Sequence, residues 1–128
     1  MLTVDCVVFD DDDRLLLIKR KNPPFQELYA LPGGFVDVGE TVEAAALREL
    51  KEETGVEGAI AALIGVYSDP MRDPRGPTAS VAFLVRPHST QARGGDDAAE
   101  ALFVEDWHGL KLAFDHNQIV TDALRRRA

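Results

Sequence analysis

The 128 residues contain one cysteine, one tryptophan and two tyrosines. The lone thiol, Cys6, excludes an internal disulfide, and its place in the apolar run LTVDCVVF marks it as a buried packing group. Positive charge is also scarce: 14 Lys and Arg stand against 22 Asp and Glu, a net charge of −8. That balance argues against broad binding to nucleic-acid phosphates or anionic membranes, both of which draw on basic surface. It leaves room for a phosphate-bearing small molecule reached through a divalent cation. No apolar run approaches the ~20 residues that span a bilayer. The opening MLTVDCVVFDDDD lacks the basic stretch and cleavage site of a signal peptide. A cytoplasmic protein is expected. Hydrophobic content of 45% and charged content of 28% are those of a folded domain, expected to be one unit over residues 1–128.

TVDCVVF (3–9) and LLLIK (15–19) are β-like runs, and the break at Asp10–Arg14 reads as a hairpin turn. Asn22-Pro23-Pro24 forces a loop, after which Leu28–Leu31 reads as a short strand entering Pro32-Gly33-Gly34. Thr41 to Thr54 is rich in Ala, Leu, Glu and Lys and predicts a helix, with Thr41 as N-cap and Gly55 as the stop. Strands are expected at Ala59–Tyr67, Thr78–Val85 and Ala99–Val104, and a closing helix at Asn117–Arg127. The segments SDPMRDPRGP and Arg86–Asp97 read as polar loops. The pattern suggests an α+β fold, a mixed sheet sandwiched by helices.

Within the internal helix, RELKEETG places Glu49, Glu52 and Glu53 at i, i+3 and i+4, on one face. A solvated helix would more often follow Glu with Lys at i+4, whereas Glu49 is followed by Glu53. Two readings stand here: a wet face, or oxygen ligands for a hard cation such as Mg²⁺ or Mn²⁺.

Gly34, Glu40, Arg48, Glu49, Leu50, Glu52, Glu53, Gly55 and Val56 together fill the pattern G-x5-E-x7-R-E-U-x-E-E-x-G-U, with U a bulky aliphatic residue. At ~7% per residue type, its seven fixed letters match by chance on the order of 10⁻⁸ per start position. The chain thereby resembles the Nudix hydrolases, whose box this is. The resemblance implies an α/β/α sandwich with a mixed curved sheet, a catalytic internal helix and a C-terminal helix. It implies metal binding by Glu49, Glu52 and Glu53 with the Gly33 carbonyl, orientation of the glutamates by Arg48, and support of the loop by Glu40. The implied reaction is Mg²⁺-dependent hydrolysis (Mn²⁺ as substitute) of a nucleoside diphosphate linked to another group. Glu53 or Glu52 is the first choice of base; Asp96, Asp97 and Glu100 are loop candidates.

Small ADP-ribose pyrophosphatases of that family carry a proline a short way past the box, and Pro70 in YSDPMRDPRGP stands at a similar place. AFDHNQIV, with an Asp-His-x-x-Ile run, resembles their C-terminal segment. ADP-ribose cleavage to AMP and ribose 5-phosphate is the expectation. Rival readings are a (d)NTP pyrophosphohydrolase acting on oxidised nucleotides and a non-catalytic ADP-ribose sensor. Expected substrate contacts are Arg20, Arg72, Arg75, Pro70 and His116. The alternatives for Arg72 and Arg75 are ion pairs with Asp69 and Asp73, and for His116 a helix cap. Phe25, Tyr29, Phe35 and Tyr67 are candidate stacking surfaces, each with a place in the core as its alternative. The expected partners are a nucleotide substrate and, as one assembly, a second copy of the chain, with neither nucleic acid nor membrane.

Overall fold

The computed structural model describes residues 1–92 and 98–127. Among the described residues, two sheets and two α-helices are built from β1 (Leu2–Val7), β2 (Leu15–Arg20), β3 (Tyr29–Ala30), β4 (Gly33–Phe35), α1 (Val42–Thr54), β5 (Gly58–Tyr67), β6 (Ala79–Pro87), β7 (Ala98–Val104) and α2 (His116–Arg126). One sheet runs β4-β1-β6-β5 and is mixed, because β1 and β6 are parallel while its other pairings are antiparallel. The other runs β3-β2-β7 and is antiparallel throughout.

The alternation along β1 sorts the core into two layers. Val4, Cys6 and Val8 pack with Ala45, Ala46 and Leu50 of α1 and with Phe83 and Val85 of β6. Val7 and Phe9 turn the other way, onto Ile119, Val120 and Ala123 of α2 and onto Leu15 and Leu17 of β2. Helices thus cover both faces of the mixed sheet. Asp5 belongs by parity to the α2 side, where a carboxylate demands polar company.

The internal helix follows its sequence closely. Thr41 Oγ1 accepts from the Ala44 N–H, and Gly55, in the left-handed region at φ 74°, donates to the Lys51 carbonyl. The expected hairpin between β1 and β2 also forms. Asp10 Oδ1 accepts from the amides of Asp12 and Arg14, and Arg14 Nε donates to Asp10 Oδ2. Beyond the single bridge Phe9–Leu15, however, the two strands part into different sheets. The expected mixed sheet is present as β4-β1-β6-β5, with the antiparallel sheet β3-β2-β7 beside it among the described residues.

Past Pro32 the chain enters β4, paired with β1 at Thr3–Phe35, Val4–Gly34 and Asp5–Gly33. A Cβ on Gly33 would overlap the Val4 carbonyl oxygen and stand 2.8 Å from Asp5 Oδ1, so only glycine admits this close pairing. A 3₁₀ turn at Trp107–Gly109, the start of α2 at His116 and the run of β6 on to Pro87, past the expected Val85, are further differences. No helix among the described residues is long and apolar enough to cross a membrane.

Candidate active site

A cavity of about 390 Å³ opens between β1, β4, α1, the loop before β6 and the N-terminus of α2. Gly33, Gly34, Glu49, Glu53, Arg20, Arg72, Arg75 and His116 line it, together with Asp5, Phe35 and Phe114. Of the expected site residues, Glu52, Pro70 and Arg48 are not among its lining. Asp97 lies outside the described residues, as does its neighbour Asp96.

At the α1 wall, Arg48 is the hub. Its Nε and Nη2 form a fork on Glu40, at 2.6 and 2.9 Å, while Nη1 reaches Glu49 Oε1 at 2.8 Å and Glu52 Oε2 at 3.2 Å. Nη2 also donates to the Phe35 carbonyl, tying the helix to β4. Hydrogen bonds from Arg48 and from the Asp37 amide hold the Glu40 carboxyl down at about 2. The same pairs push the guanidinium up, so Arg48 stays charged at any working pH. Glu40 and Arg48 thus form an ion pair, and Arg48 so held fixes Glu49.

Glu53 is 6% exposed, and its Oε1 accepts the Gly33 N–H at 2.7 Å. A Cβ on Gly34 would overlap the Glu49 carboxylate. The two glycines and two glutamates therefore fit against each other across β4 and α1. Glu52 differs: its side chain is 60% exposed, with Arg48 beside it.

Those groups suit a hard cation taking oxygen from Glu49, Glu53 and the backbone at Gly33. Among the described residues no three His, Cys, Asp or Glu side chains stand close enough to form a complete cage. A site with few protein ligands fits Mg²⁺, which keeps several waters and takes further oxygens from substrate phosphates. The donor set is compatible with the group the box implies.

At the α2 end a second network is buried. Arg72 donates from Nε and Nη2 to both oxygens of Asp115, at 2.8 and 2.7 Å, and its side chain is 4% exposed. Asp5 accepts from Ser80 Oγ at 2.5 Å and lies 3.4 Å from His116 Nε2 and 3.9 Å from Arg72 Nη2. Burial alone would raise the Asp5 carboxyl, but His116, Ser80 and Arg72 outweigh it and hold it below the usual range. His116 Nδ1 accepts the Leu31 N–H, so His116 secures the chain ahead of β4 as the first residue of α2. Arg75 pairs with Asp73, as the ion-pair reading anticipated, whereas Arg72 turns to Asp115 rather than to Asp69 or Asp73.

The mouth is a ladder of planar groups. The Arg75 guanidinium lies over the rings of Phe35 and Phe114, at 5.9 and 5.7 Å, and that of Arg20 over Phe114 at 5.1 Å. Phe25 braces Phe114 edge-on. Tyr29 and Tyr67 instead donate to Glu100 and Asp122 and do not line the cavity. Glu100, a loop candidate for the base, stands on β7 beside Tyr29.

Asp5 and Phe114 are site residues that sequence reasoning passed over, and Asp115 was quoted in its motif without a role. A carboxylate at an inward position of an apolar strand was the available signal for Asp5. Nothing local announces the pairing of Arg72 with Asp115, 43 positions away.

The NUDIX-domain family model matches residues 1–126. An ADP-ribose pyrophosphatase from Methanocaldococcus jannaschii is 50% identical over 118 residues, covering 92% of this chain and 70% of that protein. The ADPR responsive transcriptional repressor NtrR of Acinetobacter baylyi is 32% identical over 135 residues, 98% of this chain but 54% of the repressor. The chain thus spans about half of that relative's length. Among solved structures, the NUDIX domain of Shewanella oneidensis NrtR, in complex with ADP ribose, superposes with a TM-score of 0.89. It is 31% identical, and the match covers all of this chain and 88% of that one.

Proposed function

This chain belongs to the NUDIX family, and from that membership we propose that it hydrolyses ADP-ribose to AMP and ribose 5-phosphate with Mg²⁺, for which Mn²⁺ can substitute. One observation carries the assignment of the chemistry to residues: Arg48 and Gly33 fix the Glu49 and Glu53 carboxylates on one wall of the cavity. The likeness to an ADP-ribose pyrophosphatase over most of the chain supports the choice of substrate.

The cation, when bound, neutralises charge on the diphosphate oxygens and acidifies a water. Glu49 and Glu53, with the Gly33 carbonyl, would hold it. Glu53 also takes the proton of the attacking water, with the Gly33 amide keeping its carboxylate in place. Arg48 does not touch substrate; it orients Glu49 and, through Glu40, the turn that leads into α1. Glu52, set outward and paired with Arg48, would contribute to holding the cation less directly than Glu49 and Glu53. The Arg75–Phe35–Phe114–Arg20 ladder at the mouth offers flat surfaces on which adenine can stack.

The test is turnover of ADP-ribose beside a panel of (d)NTPs, each with Mg²⁺. Preferred cleavage of ADP-ribose supports the reading, and preferred cleavage of a triphosphate overturns it. Tight ADP-ribose binding with no metal-dependent turnover would identify a sensor instead.

A further inference from the structure

Arg72 carries donor capacity that the protein does not use. Its side chain is 4% exposed, and the fork of Nε and Nη2 is committed to Asp115. No hydrogen bond among the described residues uses Nη1. Yet no side-chain nitrogen or oxygen among them is both buried and without a partner. Nη1 is therefore reachable from solvent, and the space that Arg72 lines is the cavity. Because the Asp115 fork fixes the guanidinium plane, the remaining donor is aimed in advance.

Charge decides what that donor can receive. Asp5 and Asp115 both lie within 4 Å of Arg72, at 3.9 and 2.7 Å, so one guanidinium faces two carboxylates. The neighbouring Arg75 is matched by Asp73 and brings no surplus. His116 accepts at Nδ1, which leaves its ring proton on Nε2, facing Asp5. Around Arg72 itself the carboxylates outnumber the guanidinium, so a phosphate bonded to Nη1 would stand against Asp5. A neutral group that both accepts and donates suits the position, accepting from Arg72 Nη1 and donating to the Asp5 carboxylate. A hydroxyl does this, and two adjacent hydroxyls use the pair fully.

We propose that Arg72 and Asp5 form a subsite for the vicinal hydroxyls of a ribose, with Asp115 as the positioning residue that aims Arg72. The subsite lies beside the metal end, since Asp5 pairs with Gly33 across β1 and β4. It rests on the ADP-ribose reading and adds to it the group that is recognised. Arg72 then discriminates among ligands by hydroxyls and does not clamp a phosphate.

The experiment compares kcat/KM for ADP-ribose with two analogues, one lacking the 2-hydroxyl of the distal ribose and one lacking that of the adenosine ribose. In the unaltered enzyme one analogue should fall by about 100-fold or more, because its absence leaves buried polar groups unpaired. Which analogue falls identifies the ribose that occupies the subsite. In Arg72→Gln that penalty should shrink to about threefold, and Asp115→Asn should shrink it in part, chiefly through KM. Each penalty is a ratio within one protein, so a partly unfolded variant does not disturb it. If a variant does not fold at all, the unaltered enzyme decides alone. Both analogues cleaved as well as ADP-ribose would overturn the subsite, as would an undiminished penalty in Arg72→Gln. A loss of discrimination between adenine and hypoxanthine in that variant, with the hydroxyl penalty intact, would show a base-edge contact and overturn it too. Failure to cleave ADP-ribose at all is a separate result, which removes the proposed function and this subsite with it.

Discussion

Glu53 and Glu52 are adjacent in sequence and identical in chemistry, yet the fold separates them. Glu53 is 6% exposed and bonded to Gly33, whereas the Glu52 side chain is 60% exposed. Replacing Glu53 by Gln should therefore lower kcat by about 10²- to 10⁴-fold, the usual worth of a positioned base. Glu52→Gln should cost far less. Steady-state kinetics on both variants, with melting curves to confirm folding, checks the contrast; equal losses would contradict it. Gly34 presents a second residue-level case. Alanine there must displace the Glu49 carboxylate, so Gly34→Ala should abolish most turnover while the thermal midpoint shifts only modestly. A fully active Gly34→Ala enzyme would show that Glu49 need not stand where it does.

The internal helix α1 is the element in which sequence and structure agree most closely, and the reason is local. Its cap, its left-handed stop and its buried Ala45, Ala46 and Leu50 are all set by residues within the segment. Leu50 is fully buried, so Leu50→Ala should destabilise the protein by about 2–5 kcal/mol, measurable by denaturant unfolding. The same helix predicts an acid response. Glu40 titrates at about 2 in the fold, against 4.5 when unperturbed. A depressed carboxyl binds fewer protons folded than unfolded, so its contribution is complete above pH 4.5 and is lost as pH falls toward 2. Denaturant midpoints taken without metal should drop through that window, and Glu40→Gln should flatten the drop. The β3–β4 segment, by contrast, was obscured by its own composition. Proline and two glycines disfavour a strand, and only the close approach of β1, distant in sequence, makes one. Arg72 and Asp115 met the same limit, since their pairing depends on where α2 docks.

Across the whole molecule, the mixed sheet between α1 and α2 was legible because the runs of apolar residues mark its strands. The division into two sheets was not, because a hairpin turn does not say how far its strands stay paired. Of the box residues, Gly34, Glu49 and Glu53 line the α1 wall of the cavity, beside Gly33, whereas Arg48 and Glu52 stand behind or outside it. The α2 wall was named only in part: Arg72 and His116 were singled out without the Asp5 and Asp115 that determine what they do. The two walls together hold the central claim, which is that carboxylates on α1 deliver metal-assisted water to an ADP-ribose diphosphate whose ribose is read by Arg72 and Asp5 beside the start of α2. The most direct measurement is product analysis after incubation of the purified protein with ADP-ribose, with and without Mg²⁺. AMP and ribose 5-phosphate in equal amounts, formed only with the cation and lost in Glu53→Gln, is the predicted result. Intact ADP-ribose beside rapid cleavage of a nucleoside triphosphate would contradict it.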